Sequence, residues 1–455
     1  GKTNAIILEQ KKIDYPGLMI STRPRRDYIY GEVASAFTGY LGMISEDELT
    51  RFRRYGYTIK DLIGRSGLEK KYDHYLRGVQ GGMQLETDSL GRQKRMLYAK
   101  EPEVGKSLYL TVDIDLQNYC DEAMGQRKGS IIVMNPQNGE ILAFISKPAF
   151  DPNIFVMPDK FKNVRDILKN IQGDYPLLNR GVSCAYPPGS IFKVVVGIAA
   201  LETGRFSKDA TLGCSGTFSL GKSIFRCWRE KGHGAQVIVD AIKHSCNVFF
   251  YQLGLKAGVN DIFLYADKFG FGNLTGIDLP GEIRGLLPSI RWKRANRKEA
   301  WYPGDTVNYS IGQGFLLVTP IQVVRMMAAV ANGGYLVTPY IVDKIDIVDI
   351  ANPKLERIEA SEEVLETIKN GLVKVVNNPR GTGMKARLKD VIIAGKTGTA
   401  QNPADMAHGW FSGFAPSENP KICLVVFVEF GGKGGVEASK IARGVFAKGR
   451  ELGLL

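Results

Sequence analysis

Apolar and polar positions change rhythm several times along this chain, and each change marks an element. Residues 107–113 (SLYLTVD) alternate and predict a strand, and IDLQNYCDEAMGQ follows with a helical pattern. GSIIVMNPQNGEILAFIS holds two apolar runs around a Pro-Gln-Asn-Gly turn, which predicts a hairpin. Ile191 to Leu201 read as an apolar helix launched by Pro187, Pro188 and Gly189, so Ser190 falls in its first turn. Residues 154–330 are mainly helical in pattern, with loops such as FGFGNLTGIDLPGE. The C-terminal part returns to strands in VIIAGKTGTA, GWFSGFAPS and KICLVVFVEF, then closes with a helix from about Glu437. Strands at both ends with helices between them predict an antiparallel sheet completed by the C-terminus.

The first hundred residues behave differently. They are charged and irregular, with turn signals in RPRRDY and GVQGG and one helix-like stretch, SEDELTRFRRYG, whose Ser45 is an N-cap candidate. A boundary at KEPEVGKS divides the chain into an α+β module over residues 1–103 and a larger domain over 104–455.

Composition narrows the function only slightly. With 455 residues and 44% hydrophobic content the chain can build two or three domains around a large core. The net charge of +13 suits a nucleic acid, an anionic membrane surface or an acidic polymer. No basic run interleaved with aromatics stands out, no nucleic-acid motif is present, and a solvated surface is the plainer reading. No run of about 18 apolar residues predicts a membrane span, and the chain opens mid-stream, as GKTNAIILEQKK.

Candidate chemistry begins at AYPPGSIFK, where Ser190 and Lys193 are three apart and so share a helical face. A serine is a weak nucleophile until a base takes its proton, and a lysine kept neutral by burial can do so. One Ser-x-x-Lys is expected by chance in a chain this long. Two further elements follow in order: Ser245-Cys246-Asn247, and Lys396-Thr397-Gly398-Thr399 on a predicted strand. Together the three carry the signature of serine acyl-transfer enzymes that react with penicillin. Ser245 can relay a proton, Asn247 can hold Lys193 and a substrate amide, and Lys396 adds a cation that favours neutral Lys193. Gly398 lets a peptide lie along the strand edge, Thr397 and Thr399 can bind a terminal carboxylate, and the N–H groups of Ser190 and Thr399 can form an oxyanion hole. Cys214, Cys227, His233 and Cys246 form a separate donor set. It fits either a tetrahedral metal site or a Cys214–Cys227 disulfide with Cys246 free. Cys120, Cys184 and Cys423 read as packing residues, His74 and His408 as isolated, with His408 on a loop. Gln313 reads as supporting the site wall through backbone contacts, not chemistry, and Trp410 and Phe411 as packing the sheet.

These motifs resemble the class B penicillin-binding proteins, and the resemblance extends over nearly the whole chain. YIYGEVASAFTGYLG and the segment from GRSGLEKKYDHYLRG to ETDSLGR are similar to the pedestal, or dimerisation, module of that family. LTVDIDLQ, NPQNGEILAFISKPAFDPN, YSIGQGFLLVTPIQ, ANGG and GWFSGFAP are similar to its transpeptidase domain. CSGTFSLGKSIFRCWREKGHG is most similar to the elongation branch, penicillin-binding protein 2. The resemblance implies a penicillin-binding-protein and serine β-lactamase-like fold, a central antiparallel sheet flanked by helices plus a helical subdomain, on an N-terminal pedestal. It implies a periplasmic peptidoglycan D,D-transpeptidase anchored in the cell inner membrane, acylated by β-lactams and needing no organic cofactor. It implies stem peptides as substrate, a RodA-type glycan polymerase as partner, and structural zinc on Cys214, Cys227, His233 and Cys246. Asn247 departs from the aspartate many elongation enzymes carry. The rival readings are a β-lactam sensor or dead scaffold, a D,D-carboxypeptidase, and a β-lactamase, for which Glu282 is the one nearby candidate base.

Overall fold

The computed structural model describes residues 6–8, 10–11, 25–59, 61–89, 93–157, 164, 167, 173–350, 354–401, 407–432 and 435–455. The start of RPRRDY and the end of ETDSLGR lie outside them.

The apolar runs become one antiparallel sheet. Its strands are β1 (Gly129–Met134), β2 (Ile141–Lys147), β3 (Ala394–Ala400), β4 (His408–Ala415) and β5 (Ile422–Val428), in the order β3-β4-β5-β1-β2. The Pro-Gln-Asn-Gly turn makes the predicted β1–β2 hairpin, and β5 pairs with β1 across nearly three hundred residues of sequence. Every residue of β1, β4 and β5 is buried, so the sheet is covered on both faces and its strands read as unbroken apolar runs. Alternation along β5 identifies the two covers. Ile422 packs toward Gly449 of the C-terminal helix Val436–Glu451, while the Cys423 thiol points to Val324 in the helix Pro320–Ala331. The helix Ile114–Met124, N-capped by Asp113, joins the first cover.

The helical part packs beside β3. It contains α1 (Lys193–Glu202), α2 (Asn247–Ala257), and the helices Ile238–Lys243, Val259–Lys268 and Glu362–Asn377. Close approach needs small residues here: a Cβ on Gly371 would sit 3.0 Å from Ile242, and one on Gly197 would sit 2.9 Å from Ile368. Three features depart from the sequence expectation. Residues 212–236, within the stretch read as mainly helical, form four short strands paired as two hairpin-like ladders. Strands of two to four residues between 335 and 357 were too short to leave a periodic signal. The 107–113 strand shortens to Leu108–Leu110 and pairs with Val342–Ile345, away from the central sheet.

The N-terminal residues hold the predicted helix, Glu46–Phe52, with a full capping box between Ser45 and Glu48. They also hold a hairpin of Gly82–Thr87 with Gln93–Lys100. The helix Gly31–Thr38 and the residues before it dock on the larger domain through buried side-chain amides. Asn153 accepts from Tyr28 N at 3.0 Å and donates to Tyr28 O at 2.9 Å. Gln117 donates to Val33 O at 2.7 Å, and Asn179 to Ala36 O at 2.8 Å. Tyr72 adds a hydroxyl bond to Asp278, whose carboxylate also accepts from Ile341 N and Val342 N.

Removing a partner from a buried backbone group costs about 1–3 kcal/mol per group. Asn153→Ala strands both polar groups of Tyr28 and is expected to destabilise the docked segment by about 2–4 kcal/mol. Hydrogen exchange should then speed up selectively over residues 28–38. Unchanged protection there would show that the amide does not hold the docking.

Candidate active site

The residues flagged from sequence converge where α1, α2 and β3 meet. Gly189–Phe192 form a single 3-10 turn, and the α-helix proper starts only at Lys193. The tighter turn serves the same end as the expected helix, because three residues per turn stack Ser190 and Lys193 on one side. Gly189 has φ +54°, and a Cβ there would meet Thr399 O at 2.4 Å. The turn therefore touches β3 through bare backbone. Gly398, opposite it, leaves only 2.8 Å from a Cβ position to Pro188 O.

Two lysines meet at one hydroxyl. Lys193 Nζ donates to Ser245 Oγ at 3.3 Å, to Ser245 O at 2.9 Å and to Asn247 Oδ1 at 2.7 Å. Lys396 Nζ donates to the same Ser245 Oγ at 2.9 Å and to Thr397 O at 3.0 Å. Both lysines are fully buried, and among the described residues neither has a carboxylate partner. Burial lowers Lys193 to about 8, against the pull of the Cys246 and Cys227 thiols. Burial, and then the charge of Lys193, holds Lys396 well below the ordinary lysine range. Two ammonium groups sharing one hydroxyl repel in a dry site, so the pair favours a state in which one amine is neutral and can accept a proton. Ser190 Oγ is half-buried and makes no hydrogen bond among the described residues, which leaves it open to an incoming group.

Ser245 sits at φ +50°, an uncommon conformation for a residue with a Cβ. Cys246 then N-caps α2, its sulfur accepting from Phe249 N. The cap aims Asn247, the first residue of the helix, at Lys193. On the other wall Thr397 Oγ1 bonds Thr382 Oγ1 at 3.0 Å. Gln313 supports the wall with its side-chain amide, which donates to Thr399 O at 3.3 Å, while Gly312 O accepts from Gly189 N. β3 is an edge strand, so among the described residues its outer side has no sheet neighbour.

The four metal-site candidates also come together. Ligand atoms of Cys214, Cys227, His233 and Cys246 all lie within 4.8 Å of one another. His233 Nδ1 is 3.7 Å from Cys214 Sγ and 3.5 Å from Cys227 Sγ. A tetrahedron with sulfur at roughly 2.3 Å and nitrogen at roughly 2.0 Å has edges of about 3.5 Å, so the cluster fits that geometry. The contact between Cys227 and Cys246 holds the Cys227 thiol well below its ordinary range and pushes Cys246 up. No disulfide links any of the six cysteines.

His408 corrects one expectation. It opens β4 rather than sitting on a loop, buried, with Nδ1 accepting from Phe430 N at 3.2 Å. Glu282 is no free base, since its carboxylate closes its own loop on Thr275 N, Thr275 Oγ1 and Gly276 N. Trp410 and Phe411 are buried in the sheet, and Trp410 also donates to Pro187 O at 3.1 Å. Two groups of supporting residues escaped the sequence reading. Tyr186, just before the Ser190 turn, donates to Glu429 at 2.6 Å, and Arg180 pairs with the same carboxylate at 2.9 Å. Trp228, though largely exposed, donates its indole N–H to His244 O and Ser245 O. None of these lies in a local pattern that sequence alone could expose.

The penicillin binding protein transpeptidase domain model matches residues 129–447, and the penicillin-binding protein dimerisation domain model matches residues 2–110. The peptidoglycan D,D-transpeptidase MrdA of Acinetobacter baumannii is 34% identical over 98% of this chain and 69% of its own length. That of Haemophilus influenzae is 32% identical, over 95% and 70%. The Helicobacter pylori complex of penicillin-binding protein 2 with MreC superposes with a TM-score of 0.88 at 31% identity, covering 99% of this chain and 83% of that one. Pseudomonas aeruginosa penicillin-binding protein 2 in complex with WCK 5153 gives 0.83 at 33%, over 94% and 91%.

Contact between Gly189 and Thr399 sets the width of the site. Gly189→Ala adds a Cβ at a left-handed φ against a backbone carbonyl, so the turn and β3 must separate. Acylation of the protein by a fluorescent penicillin should slow roughly a hundredfold, the scale of a 1 Å misplacement, with the far-UV spectrum retained. A wild-type acylation rate would mean the contact is not needed.

Proposed function

The chain belongs to the penicillin-binding-protein transpeptidase family, and on that premise we propose that it is a peptidoglycan D,D-transpeptidase of cell-wall elongation. Ser190 Oγ attacks the D-Ala-D-Ala carbonyl of a stem peptide, and Lys193 Nζ takes the serine proton. The N–H groups of Ser190 and Thr399 stabilise the oxyanion. Ser245, bridging the two lysines, passes the proton to the departing D-Ala amine. Asn247 holds Lys193 and the peptide amide, Lys396 keeps Lys193 from retaining its proton, and Thr397 and Thr399 receive the terminal carboxylate. The donor peptide lies along the open edge of β3 beside Gly398. An amine of a second stem peptide then attacks the acyl-enzyme, forms the crosslink and releases Ser190. A β-lactam enters the same path but leaves a stable ester. The observation that carries this reading is the meeting of Lys193 and Lys396 on Ser245 Oγ. Three motifs far apart in sequence supply one proton path. Glu282, tied into its own loop, gives no support to a β-lactamase. A carboxypeptidase would use the same acylation residues and is separated by whether water or an amine resolves the ester.

Residues 1–103 act as the pedestal and 104–455 as the catalytic domain, at the periplasmic face of the inner membrane beside a RodA-type polymerase. The relatives support this: one solved neighbour is a complex with MreC and another a peptidoglycan synthase complex. No helix of the described residues is long and apolar enough to cross a membrane.

Cys214, Cys227, His233 and Cys246 hold a structural zinc in this proposal. Bound there, an ion would tie the 214–233 segment to Cys246, the middle residue of the second motif, in a structural role only. The protein's own contribution is to fix Ser245 and Asn247 on either side of that cysteine.

Ser190→Ala should abolish labelling by a fluorescent penicillin while the protein stays folded, and Lys193→Ala should slow acylation by about 10²–10⁴-fold. Single-site labelling of the Ser190→Ala protein would rule out the nucleophile. Because the neutral form of Lys193 is the base and burial has lowered it to about 8, acylation should rise from pH 6 to 9. A flat profile over that range would remove Lys193 from the role.

Cys227→Ser or chelation should lower the melting temperature and slow acylation together. Elemental analysis of protein purified without added metal decides the site. Less than about half an equivalent of zinc, with a Cys214–Cys227 disulfide in the mass map, would refute it.

A further inference from the structure

The helix Ile290–Arg297 carries an unusual charge pattern, in a run that the sequence reading passed over. Arg291, Arg294, Arg297 and Lys298 are all exposed, and among the described residues none has an acidic partner. Arg291 and Arg294, Arg294 and Arg297, and Arg294 and Lys298 stand three or four apart, the spacing at which like charges repel. Other helices of this protein relieve that repulsion by placing an acid three residues away. Lys369 pairs with Glu366, Lys440 with Glu437, and Lys448 with Glu451. Here the available acids are spent underneath, where buried Lys293 binds Asp305 at 2.7 Å and Glu299 at 3.4 Å. Among the described residues the outer cations are left without an acid.

Their position matters as much as their charge. The Arg297 guanidinium lies 5.5 Å over the Phe315 ring, and Trp292 packs on the same ring. Phe315 is two residues from Gln313, whose amide donates to Thr399 O on β3. The stripe therefore borders the wall of the site. The hairpin Thr217–Leu220/Ser223–Arg226, which carries two further exposed cations, Lys222 and Arg226, lies beside the same region. Arg226 O accepts from Tyr251, one turn beyond Asn247, and Phe225 approaches Gly304, just after the basic helix.

We propose that this cationic rim is a docking surface for an acidic peptide, the carboxylate-bearing stem peptide that brings the attacking amine. The assignment rests on the transpeptidase reading. Three arginines along roughly 9 Å of helix, at about 1.5 Å per residue, with Lys298 at its C-cap, match an extended peptide with several carboxylates better than one terminal carboxylate. Rim charges of this kind govern encounter rate and salt dependence more than the chemical step. Deep in the site the substrate is held by Thr397 and Thr399; at the rim it is gathered.

The test is equilibrium binding of a fluorescent peptide with three free carboxylates, beside the same peptide with its carboxylates amidated. Wild type should bind the acidic peptide about tenfold more tightly than the triple variant R291E/R294E/R297E, as expected from several exposed pairs acting together. The preference should fade between 50 and 300 mM salt, and the amidated peptide should not distinguish the proteins. R291Q/R294Q/R297Q, which removes charge without reversing it, should fall between the two and guards against a folding defect. Equal affinity in wild type and both variants, or an equal loss for the amidated peptide, overturns the proposal. Wild-type-only binding to vesicles containing anionic phospholipid, with peptide affinity unchanged, overturns it in favour of a membrane surface. Penicillin acylation is the separate control. Both variants should stay within about twofold of wild type, since no mutated residue touches the acylation machinery. Failure of acylation in wild type itself would strike the transpeptidase reading, whereas the peptide measurement judges the rim alone.

Discussion

Two lysine side chains, buried with no carboxylate in reach among the described residues, form the constraint around which this protein is arranged. A charged amine in a dry interior is expensive, and two close together are more so. The cost is tolerable only because hydroxyl, carbonyl and amide oxygens surround them, and Ser245 supplies two of those oxygens itself. That demand explains several otherwise odd local choices. Ser245 adopts a left-handed backbone so that its carbonyl and hydroxyl face the same amine. Asn247 begins a helix rather than standing inside it, and a cysteine serves as the cap. The sheet contributes Lys396 and the helical part contributes Lys193, so neither layer can shift without breaking the arrangement.

The layers are held in register by contacts that are almost all backbone. Gly189, Gly312 and Gly398 allow the nucleophile turn, its support loop and β3 to approach until main-chain atoms touch. Behind the turn, Trp410 grips Pro187, and the Arg180–Glu429–Tyr186 group anchors the chain just upstream. Precision at Ser190 thus comes from a rigid surround, while its hydroxyl stays free.

Much of this was readable before any coordinates. The apolar runs at both ends of the larger domain announced an antiparallel sheet completed by the C-terminus, and the three short motifs marked the residues that the fold brings together. The cysteines and His233 could be grouped by spacing, although spacing alone left a disulfide open. What the sequence hid falls into two kinds. Strands of two to four residues, as in 212–236 and 335–357, are shorter than the period needed to reveal them. Partners such as Trp228 for Ser245, or Glu429 for Tyr186, are distant in the chain and unremarkable in their local context. His408 was misplaced for a related reason: its place in the strand comes from pairing with Ala400, across a segment whose register the local sequence does not show.

The amide-mediated docking of residues 28–36 has a different kind of consequence. Asn153, Gln117 and Asn179 read main-chain groups, not side chains, of the segment they hold. These bonds do not depend on which side chains the segment carries, and only its inward residues, such as Ala34 and Phe37, are fixed by packing in the core. The outward face of that segment can therefore be rewritten to suit a new neighbour while the geometry delivered to the catalytic domain stays the same. The protein carries, in effect, a standard coupling whose outer half is free to diversify.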